Sequence, residues 1–125
     1  MVLGMIRLIA VCVALFSAGR ALAADLEAGK AAFQKCRMCH SLDFGAGTRV
    51  GPSLHGVFGR KAGTFDDFPF SETMKNSGVV WSEDTLGRYI RDPKGFLPGN
   101  RMAFPGIKSD RELEDLLAYL RQATQ

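Results

Sequence analysis

The sequence predicts one small all-α domain in which helices alternate with long loops. The clearest observation is a leucine pattern near the C-terminus, with the i, i+3, i+4 and i+7 spacing of one helix face: Leu113, Leu116, Leu117 and Leu120. A second apolar stripe of helical spacing follows Ser82. Residues 41–70 are rich in glycine and show no sustained periodicity, which indicates a loop. We expect this loop to be ordered, because aliphatic and aromatic residues recur through it.

The predicted helices near the N-terminus and in the middle of the chain have recognisable boundaries. Asp25 can cap a first helix, with Leu26, Gly29 and Phe33 on one face. Residues 71–76 predict a short second helix.

The two remaining helices begin with serine caps. Ser82 is followed by acidic residues that suit a first turn, and the apolar stripe behind it ends at Asp92-Pro93: Leu86, Tyr89 and Ile90. Ser109-Asp110-Arg111-Glu112 is a capping-box pattern that opens the last helix.

Residues 1–23 have the features of a cleaved secretory signal peptide. Arg7 gives a basic start, residues 8–18 form an apolar run, and Ala21-Leu22-Ala23 is a small-x-small cleavage pattern. We expect cleavage after Ala23, with Ala24 as the alternative, so residues 24–125 form the mature domain. An uncleaved anchor is the other interpretation, but the apolar run is roughly half of the about 20 residues that span a membrane.

Charge and length limit the class of protein. The chain has 16 basic and 13 acidic residues, and two of the basic residues lie in the predicted signal peptide. The mature domain is therefore close to neutral, which argues against a nucleic-acid partner. So short a domain buries little apolar surface by itself, and a cofactor in its centre would add to the core.

The pentapeptide Cys36-Arg37-Met38-Cys39-His40 carries the most chemical information. C-x-x-C-H is the attachment signal for c-type haem. The thiols add to the haem vinyl groups, and a spacing of one helical turn brings both sulfurs and the adjacent imidazole to one face. The motif predicts covalent attachment through Cys36 and Cys39, with His40 as an iron ligand.

A redox-active C-x-x-C pair and half of a zinc site are the alternatives. Zinc would need a second pair of ligands. No cysteine follows Cys39, and His55 is the only other histidine. In an exported chain, haem is the favoured interpretation.

The function depends on the sixth iron ligand, because closed six-coordinate iron transfers electrons whereas open iron binds gases or performs chemistry. The candidates are Met38, Met74, Met102 and His55. Met38 lies within the attachment turn, and Met74 falls in a predicted helical turn, where methionine usually packs. Met102 lies between prolines and glycines in residues 98–106, an irregular segment that can present a thioether. We favour Met102, because His/Met is a known pair for c-type haem; core packing is its alternative role.

Several further segments match one protein family in order and spacing. They are residues 50–61 (V-G-P-S-L-H-G-V-F-G-R-K), Val80-Trp81, Asp92-Pro93-Lys94, the segment around Met102 and Leu120-Arg121-Gln122-Ala123-Thr124. With the attachment motif, they make the chain resemble class I cytochromes c, in particular the mitochondrial and bacterial cytochrome c2 group. The resemblance covers nearly all of residues 24–125. It implies a small class I cytochrome c fold, with helices and long loops wrapped around one covalently bound haem c.

The resemblance also implies roles around the haem. The Pro52 carbonyl would accept a hydrogen bond from His40 and fix its ring. Arg60 and the Trp81 N–H would hydrogen-bond a buried propionate; by themselves, a solvated arginine and a core tryptophan would be the default roles. Two aromatic residues would complete the pocket on the methionine side and at the haem edge: Tyr89 and Phe104. Contacts between the first and last helices would involve Gly29, Phe33, Leu116 and Tyr119.

Three positions depart from residues that are common in this group. Phe70 stands in place of a propionate-binding tyrosine, Met74 in place of a pocket asparagine, and Asn100 in place of a threonine two residues before the ligand. The first two changes make the pocket less polar, which disfavours the additional positive charge of ferric iron. We therefore expect a reduction potential no lower than is usual for the group. Met74 also leaves open a ligand exchange with Met102.

We expect a soluble periplasmic one-electron carrier, not an enzyme, with iron cycling between Fe(II) and Fe(III). The resemblance implies a monomer that contacts membrane complexes only peripherally. Cytochrome bc1 would be its donor, and a terminal oxidase of a respiratory chain or a photosynthetic reaction centre its acceptor. Basic residues around the haem edge would dock these partners, unless they are ordinary solvated charges: Lys35, Arg37, Arg49, Lys94, Arg101 and Lys108.

Other classes of haem protein stay open at this point. A peroxidase-like enzyme would have a labile Met102, but His55 is the only spare histidine for a distal acid–base pair. A gas sensor would hold five-coordinate iron at rest. A carrier dedicated to one periplasmic dehydrogenase would differ only in its donor.

Overall fold

The computed structural model describes residues 23–44, 50–65 and 68–125. Within these ranges the chain forms five helices: α1 (Leu26–Arg37), α2 (Glu72–Lys75), α3 (Glu83–Arg91), α4 (Pro93–Phe96) and α5 (Asp110–Ala123). The only β pairing among the described residues is an isolated antiparallel bridge between Lys61 and Val80. The all-α prediction is confirmed. Apart from Ala23, the predicted signal peptide lies outside the described residues.

Helices α1 and α5 make the most extensive helix–helix contact in the described part of the chain. Gly29 permits their close approach, because a Cβ atom there would overlap the carbonyl oxygen of Asp115 and lie 2.7 Å from the Cβ of Tyr119. Next to this crossing, the ring centroids of Phe33 and Tyr119 are 5.8 Å apart. Leu26, which we predicted on the same face, is 42% exposed. It is the first residue of α1 and lies beyond the point where α5 crosses.

We call α1 and α5 the helix pair. Polar contacts fix this pair near the N-terminus of α1. The carboxylate of Asp25 caps α1 by accepting hydrogen bonds from the amides of Glu27 and Ala28. The amide of Asp25 donates to Oδ1 of Asp115 at 2.8 Å. Asp115 is only 4% exposed, and Arg111 pairs with it at 3.3 Å.

The caps of α3 and α5 differ from the predicted arrangement. A full capping box forms at α3, where Ser82 accepts a hydrogen bond from the Thr85 amide and Thr85 accepts one from the Ser82 amide. At α5, Ser109 accepts from the Glu112 amide, but the Glu112 carboxylate pairs with Lys35 of α1. The predicted reciprocal capping box at α5 is therefore wrong, because the Glu112 carboxylate forms a tertiary ion pair instead of accepting a hydrogen bond from the Ser109 amide.

Helix α3 ends at Arg91, as Asp92-Pro93 predicted, but α4 begins at once. The Asp92 carboxylate accepts a hydrogen bond from the Gly95 amide at 3.1 Å, and Pro93 occupies the first helical position, where its missing N–H costs nothing. Residues 98–106, which we call the methionine strap, then follow without regular secondary structure.

The short helix α2 lies between Ser71, whose hydroxyl caps it, and Asn76, as predicted. The predicted apolar stripes of α3 and α5 are largely buried, and they join one core with α1: Leu86, Tyr89, Ile90, Leu113, Leu116 and Leu120. Among the described residues, no helix has the length and apolar character needed to cross a membrane.

Candidate haem site

A cavity of about 450 Å³ is lined by residues of α1, α2, α3, the loops after α1 and the methionine strap. All of the predicted attachment, ligand and pocket residues are in its lining: Cys36, Cys39, His40, Pro52, Arg60, Trp81, Tyr89, Met102 and Phe104. The fold thus brings together residues that are up to 68 positions apart in the sequence. Most of the remaining lining residues are apolar, which suits a flat hydrophobic ligand.

The other candidates for an axial ligand are placed differently. Met74 is buried and lines the same cavity. Met38 is 85% exposed. His55 is not in the lining, and its ring contacts Phe44 edge-on with centroids 5.3 Å apart. Of the four candidates for the sixth ligand, Met74 and Met102 are therefore the two that line the cavity.

The ring of His40 is fixed by two consecutive residues of the following loop. Its Nδ1 lies 2.7 Å from the Pro52 carbonyl oxygen. Because a carbonyl only accepts, Nδ1 carries the proton, and Nε2 is the ring nitrogen that can bind a metal. Gly51 lies directly against the ring, since a Cβ atom there would be 2.6 Å from Cε1 of His40.

The electrostatics also suit a ligand histidine. Burial lowers the pKa of His40 below its usual value, and the hydrogen bond to Pro52 partly opposes this. The ring is therefore neutral at pH 7, which is the form that binds metals.

The two cysteines are free, partly buried thiols at the same cavity. Burial raises the pKa of Cys36 to about 11, although the charge of Lys35 acts in the opposite direction. A redox-active C-x-x-C pair needs a lowered thiol pKa, so Cys36 does not fit that alternative. Across residues 23–44, 50–65 and 68–125, no group of three or more His, Cys, Asp or Glu side chains is arranged to hold a metal ion. The zinc alternative therefore lacks its second pair of ligands in this part of the chain.

Trp81 and Arg60 bring donor groups to the cavity wall. Trp81 is 7% exposed and lines the cavity. Arg60 donates to the carbonyl oxygens of His55 at 2.8 Å and Ser53 at 3.0 Å, and its guanidinium lies 4.6 Å from the centroid of the Phe65 ring. Arg60 is therefore a half-buried structural residue rather than a solvated charge. A cationic group and a tryptophan N–H at an apolar cavity fit the anionic propionates of a haem.

Asn100 is a site residue whose role the sequence analysis did not predict. Its Nδ2 donates to the carbonyl oxygens of Pro93 and Leu97, both at 2.8 Å. Its Oδ1 accepts from the Met102 amide at 2.9 Å and from the Tyr89 hydroxyl at 3.2 Å. Its departure from the threonine common in the group was the one signal in the sequence that pointed to it.

The described residues among the six predicted docking residues lie at different places relative to the cavity. Lys35 and Arg101 line it, whereas Lys94 borders a separate depression next to Phe104 and Pro105. Arg37 is exposed, and Lys108 donates to the carbonyl oxygen of Arg91. Arg49 lies outside the described residues.

Comparisons with known proteins identify the family of this chain. The profile of the Cytochrome c family matches residues 26–124. Cytochrome c2 of Blastochloris viridis is 44% identical over 106 residues, which cover 85% of this chain and 84% of that protein. Cytochrome c2 of Rhodoplanes tepidamans is 49% identical over 98 residues, with coverage of 78% and 92%.

A solved structure gives the same result for the fold. Cytochrome cH from Methylobacterium extorquens superposes with a TM-score of 0.73 at 40% identity, and the match covers 78% of this chain and 98% of that one. The cavity, the attachment motif and these relatives lead to one conclusion. The chain belongs to the cytochrome c family, in the class I cytochrome c2 group, as an electron-transfer protein with a covalently attached haem c.

Proposed function

We propose that this chain is a periplasmic one-electron carrier whose haem iron is bound by His40 and Met102. One observation carries the proposal. The cavity that contains both cysteines also contains a His40 ring held through Nδ1 and a Met102 thioether on a tethered strap. When bound, the haem supplies one-electron exchange between Fe(III) and Fe(II).

The residues of the chain keep this redox group in one geometry. Cys36 and Cys39 would anchor it through thioether bonds, and Pro52 holds the His40 ring by its hydrogen bond. Arg60 is itself held by two backbone carbonyls, so its charge stays at the cavity wall, where it and Trp81 would bind a propionate. A fixed surrounding of this kind changes little when the charge changes by one, which favours fast electron transfer.

The spectrum of the ferric, haem-loaded protein tests the ligand set. Methionine sulfur on ferric haem gives a weak far-red band, and we expect it in the parent protein. Met102→Ala should abolish it, while Met74→Ala, the control at the same cavity, should retain it. If the band is lost in Met74→Ala and retained in Met102→Ala, the sulfur ligand is Met74 and our assignment to Met102 is wrong.

Carbon monoxide distinguishes a carrier from haem proteins with open iron. With both axial positions taken by His40 and Met102, the ferrous protein should bind carbon monoxide weakly, and Met102→Ala should bind it readily. Ready binding by the parent, without the far-red band, would rule out the simple carrier.

Export is the next part of the proposal. The bacterial cytochromes c2 among the relatives support a periplasmic location. Residues 1–23 would direct export, with cleavage after Ala23 or Ala24. Mass spectrometry of haem protein recovered from the periplasm should give a chain that begins at Ala24 or Asp25, whereas a retained N-terminus would identify the anchored form.

Redox partners complete the proposal. We propose cytochrome bc1 as donor and a terminal oxidase or a photosynthetic reaction centre as acceptor, with docking through basic residues near the cavity. Because Lys35 and Arg101 line the cavity, Arg101→Gln should slow reduction by cytochrome bc1 at low salt and have little effect at high salt. Lys61→Gln is the matched control, because Lys61 is exposed and is not part of the lining. Equal effects of the two variants would exclude docking at this face.

A further inference from the structure

We propose that Asn100 is a positioning residue for Met102, which couples the methionine strap to α3 and α4 and thereby controls how readily the thioether is displaced. This inference rests on the proposed function, because it takes Met102 as an axial ligand. The argument uses the contacts of the strap, the chemistry of an amide side chain and the burial of Tyr89.

The strap contacts the rest of the chain on both sides of Met102, where the backbone amide of Asn100 donates to the Leu97 carbonyl and Gly106 packs against the Arg91 carbonyl. It has no regular secondary structure, and it turns at Gly99 and Gly106, whose φ angles are +92° and +101°. Arg101 is exposed and donates to the carbonyl oxygen of Pro69 at 3.1 Å. The backbone of Met102 itself has two hydrogen bonds in the described chain, one to the Phe104 amide and one to the side chain of Asn100.

Asn100 connects this backbone to two helices. Its two Nδ2 hydrogens are donated to the carbonyls of Pro93 and Leu97, at the beginning and just after the end of α4. Its Oδ1 receives the Met102 amide. Asn100 therefore holds the strap against α4 with one end of its amide and fixes the ligand residue with the other.

Tyr89 of α3 makes the fourth hydrogen bond to Asn100. Its ring is 7% exposed and lies between Trp81 and Phe96, with centroid distances of 5.1 and 6.2 Å. Burial raises the pKa of Tyr89 to about 12, so its hydroxyl remains a donor at physiological pH. Its position is thus set by the core, and it fixes the orientation of the Asn100 amide.

The chemistry explains why an amide is suited to this position. Asparagine offers two donors on one atom and an acceptor with two lone pairs on another, and all four are used here. A threonine, which is common at this position in the group, has one donor and no amide nitrogen. It could replace only part of these contacts.

Displacement of Met102 by imidazole in the ferric, haem-loaded protein tests this inference. An added ligand binds only when the thioether has left the iron, so its apparent affinity reports the population with Met102 displaced. Asn100→Ala removes the hydrogen bonds that hold the strap, and the apparent affinity for imidazole should rise about tenfold. Asn100→Thr should give a smaller rise, about threefold.

Two further variants are matched to this experiment. Asn76→Ala is the same change at an exposed asparagine that caps α2, and it should leave the imidazole affinity unchanged. Tyr89→Phe should raise the affinity about threefold in the parent. In the Asn100→Ala background it should add nothing, because its hydroxyl acts through Asn100.

The outcomes separate this inference from the proposed function. If the parent lacks the far-red band, or if Met102→Ala does not change the imidazole affinity, the ligand assignment itself fails. If the band is present but Asn100→Ala and Asn100→Thr bind imidazole within twofold of the parent, Asn100 does not position Met102. A lower unfolding midpoint without a rise in imidazole affinity would likewise leave Asn100 a purely structural residue and overturn the inference.

Discussion

The helix pair and the loop half of the molecule, which we define as residues 50–65 with the methionine strap, are held together by different interactions. In the helix pair, backbones approach closely at Gly29, and the rings of Phe33 and Tyr119 pack beside the crossing. In the loop half, side chains bind backbone carbonyls, as Arg60 and Asn100 do. Close packing is the main interaction at the crossing of the helix pair, with the polar contacts of Asp115 and Glu112 beside it, whereas the loop half relies more on side-chain donors.

This difference predicts which kind of substitution each region tolerates. A close-packed crossing is sensitive to added volume, because neighbouring backbone cannot move aside. A loop held by donors is sensitive to their removal, because a carbonyl that is already buried loses its partner. The predictions below test this distinction.

The largest effect on stability is expected for Gly29→Ala. The new methyl group would overlap the Asp115 carbonyl oxygen, and the helices would have to separate. We expect a loss of about 3 kcal/mol in the free energy of unfolding, measured by denaturant titration of the haem-loaded protein. Gly87→Ala is the matched control in α3, because its Cβ atom would meet only the flexible end of Leu117, at 3.1 Å. A similar loss in both variants would contradict the special role of the crossing.

Arg60→Lys should be the most harmful of the donor substitutions. Lysine keeps the charge but cannot bind the carbonyls of Ser53 and His55 with one planar fork. The free energy of unfolding should fall by about 2 kcal/mol in the same titration. Arg88→Lys is the control, because Arg88 is exposed and lies 3.8 Å from Asp84. If both variants lose equally little, the loop half is not held by donors.

Tyr89→Phe removes one donor and should cost about 1 kcal/mol at neutral pH. The effect should depend on pH. The folded protein raises the pKa of Tyr89 from 10.0 to about 12, so the contribution of the protonated hydroxyl is complete below pH 10 and is lost as the pH rises towards 12. The difference in unfolding free energy between parent and variant should therefore shrink between pH 10 and pH 12. A constant difference would show that burial does not perturb this tyrosine.

Met74→Asn should act on the reduction potential. It adds a polar group to the cavity wall, which favours the ferric state. We expect an effect of about threefold on the ratio of ferric to ferrous protein. Because a tenfold change corresponds to 59 mV for one electron, the reduction potential should fall by roughly 30 mV. Phe70→Tyr should shift it in the same direction. Met38→Asn is the control, because Met38 is 85% exposed. If a redox titration shows that Met74→Asn raises the reduction potential, the argument that a polar cavity wall favours ferric iron is wrong.

The smallest effect is expected for Lys35→Gln. Its ion pair with Glu112 joins α1 to α5 but is solvent-exposed, and such pairs contribute less than about 0.5 kcal/mol. Lys30→Gln, at an exposed position of the same helix, is the control. A large, salt-dependent loss in Lys35→Gln would mean that charge as well as shape holds the helix pair.

The helices and the covalently bound haem could be predicted because their signals are local. The leucine spacing of α5, the serine caps and C-x-x-C-H each lie within a few residues. The start of α4 could also have been found, because an aspartate, a proline and a glycine at Asp92, Pro93 and Gly95 are typical of a capped first turn. The sequence analysis interprets Asp92-Pro93 only as the end of α3 and does not use Gly95.

The contacts of Arg60, Asn100 and Glu112 could not be predicted in this way. The partners of Arg60 and Asn100 lie only 2 to 11 positions away, but the irregular backbone path that brings them together follows no periodic pattern in the sequence. The partner of Glu112 comes from a distant helix. Glu112 has the correct spacing for a capping box, yet Lys35, 77 positions away, takes its carboxylate. Sequence patterns indicate that such a side chain is polar, whereas tertiary packing decides its partner.

The crossing of α1 and α5 also has a consequence for the time order of folding. Asp25 and Asp115 are 90 positions apart, and closing a loop of that length costs about 4 kcal/mol of chain entropy. Because α5 follows α1 in the chain, α1 has no partner for this contact until α5 has also reached the compartment in which the domain folds. Cys36, near the C-terminal end of α1, therefore stays in an open chain during that interval. The placement of the two helices at opposite ends of the domain thus gives covalent attachment a period in which the thiols are accessible before the core closes.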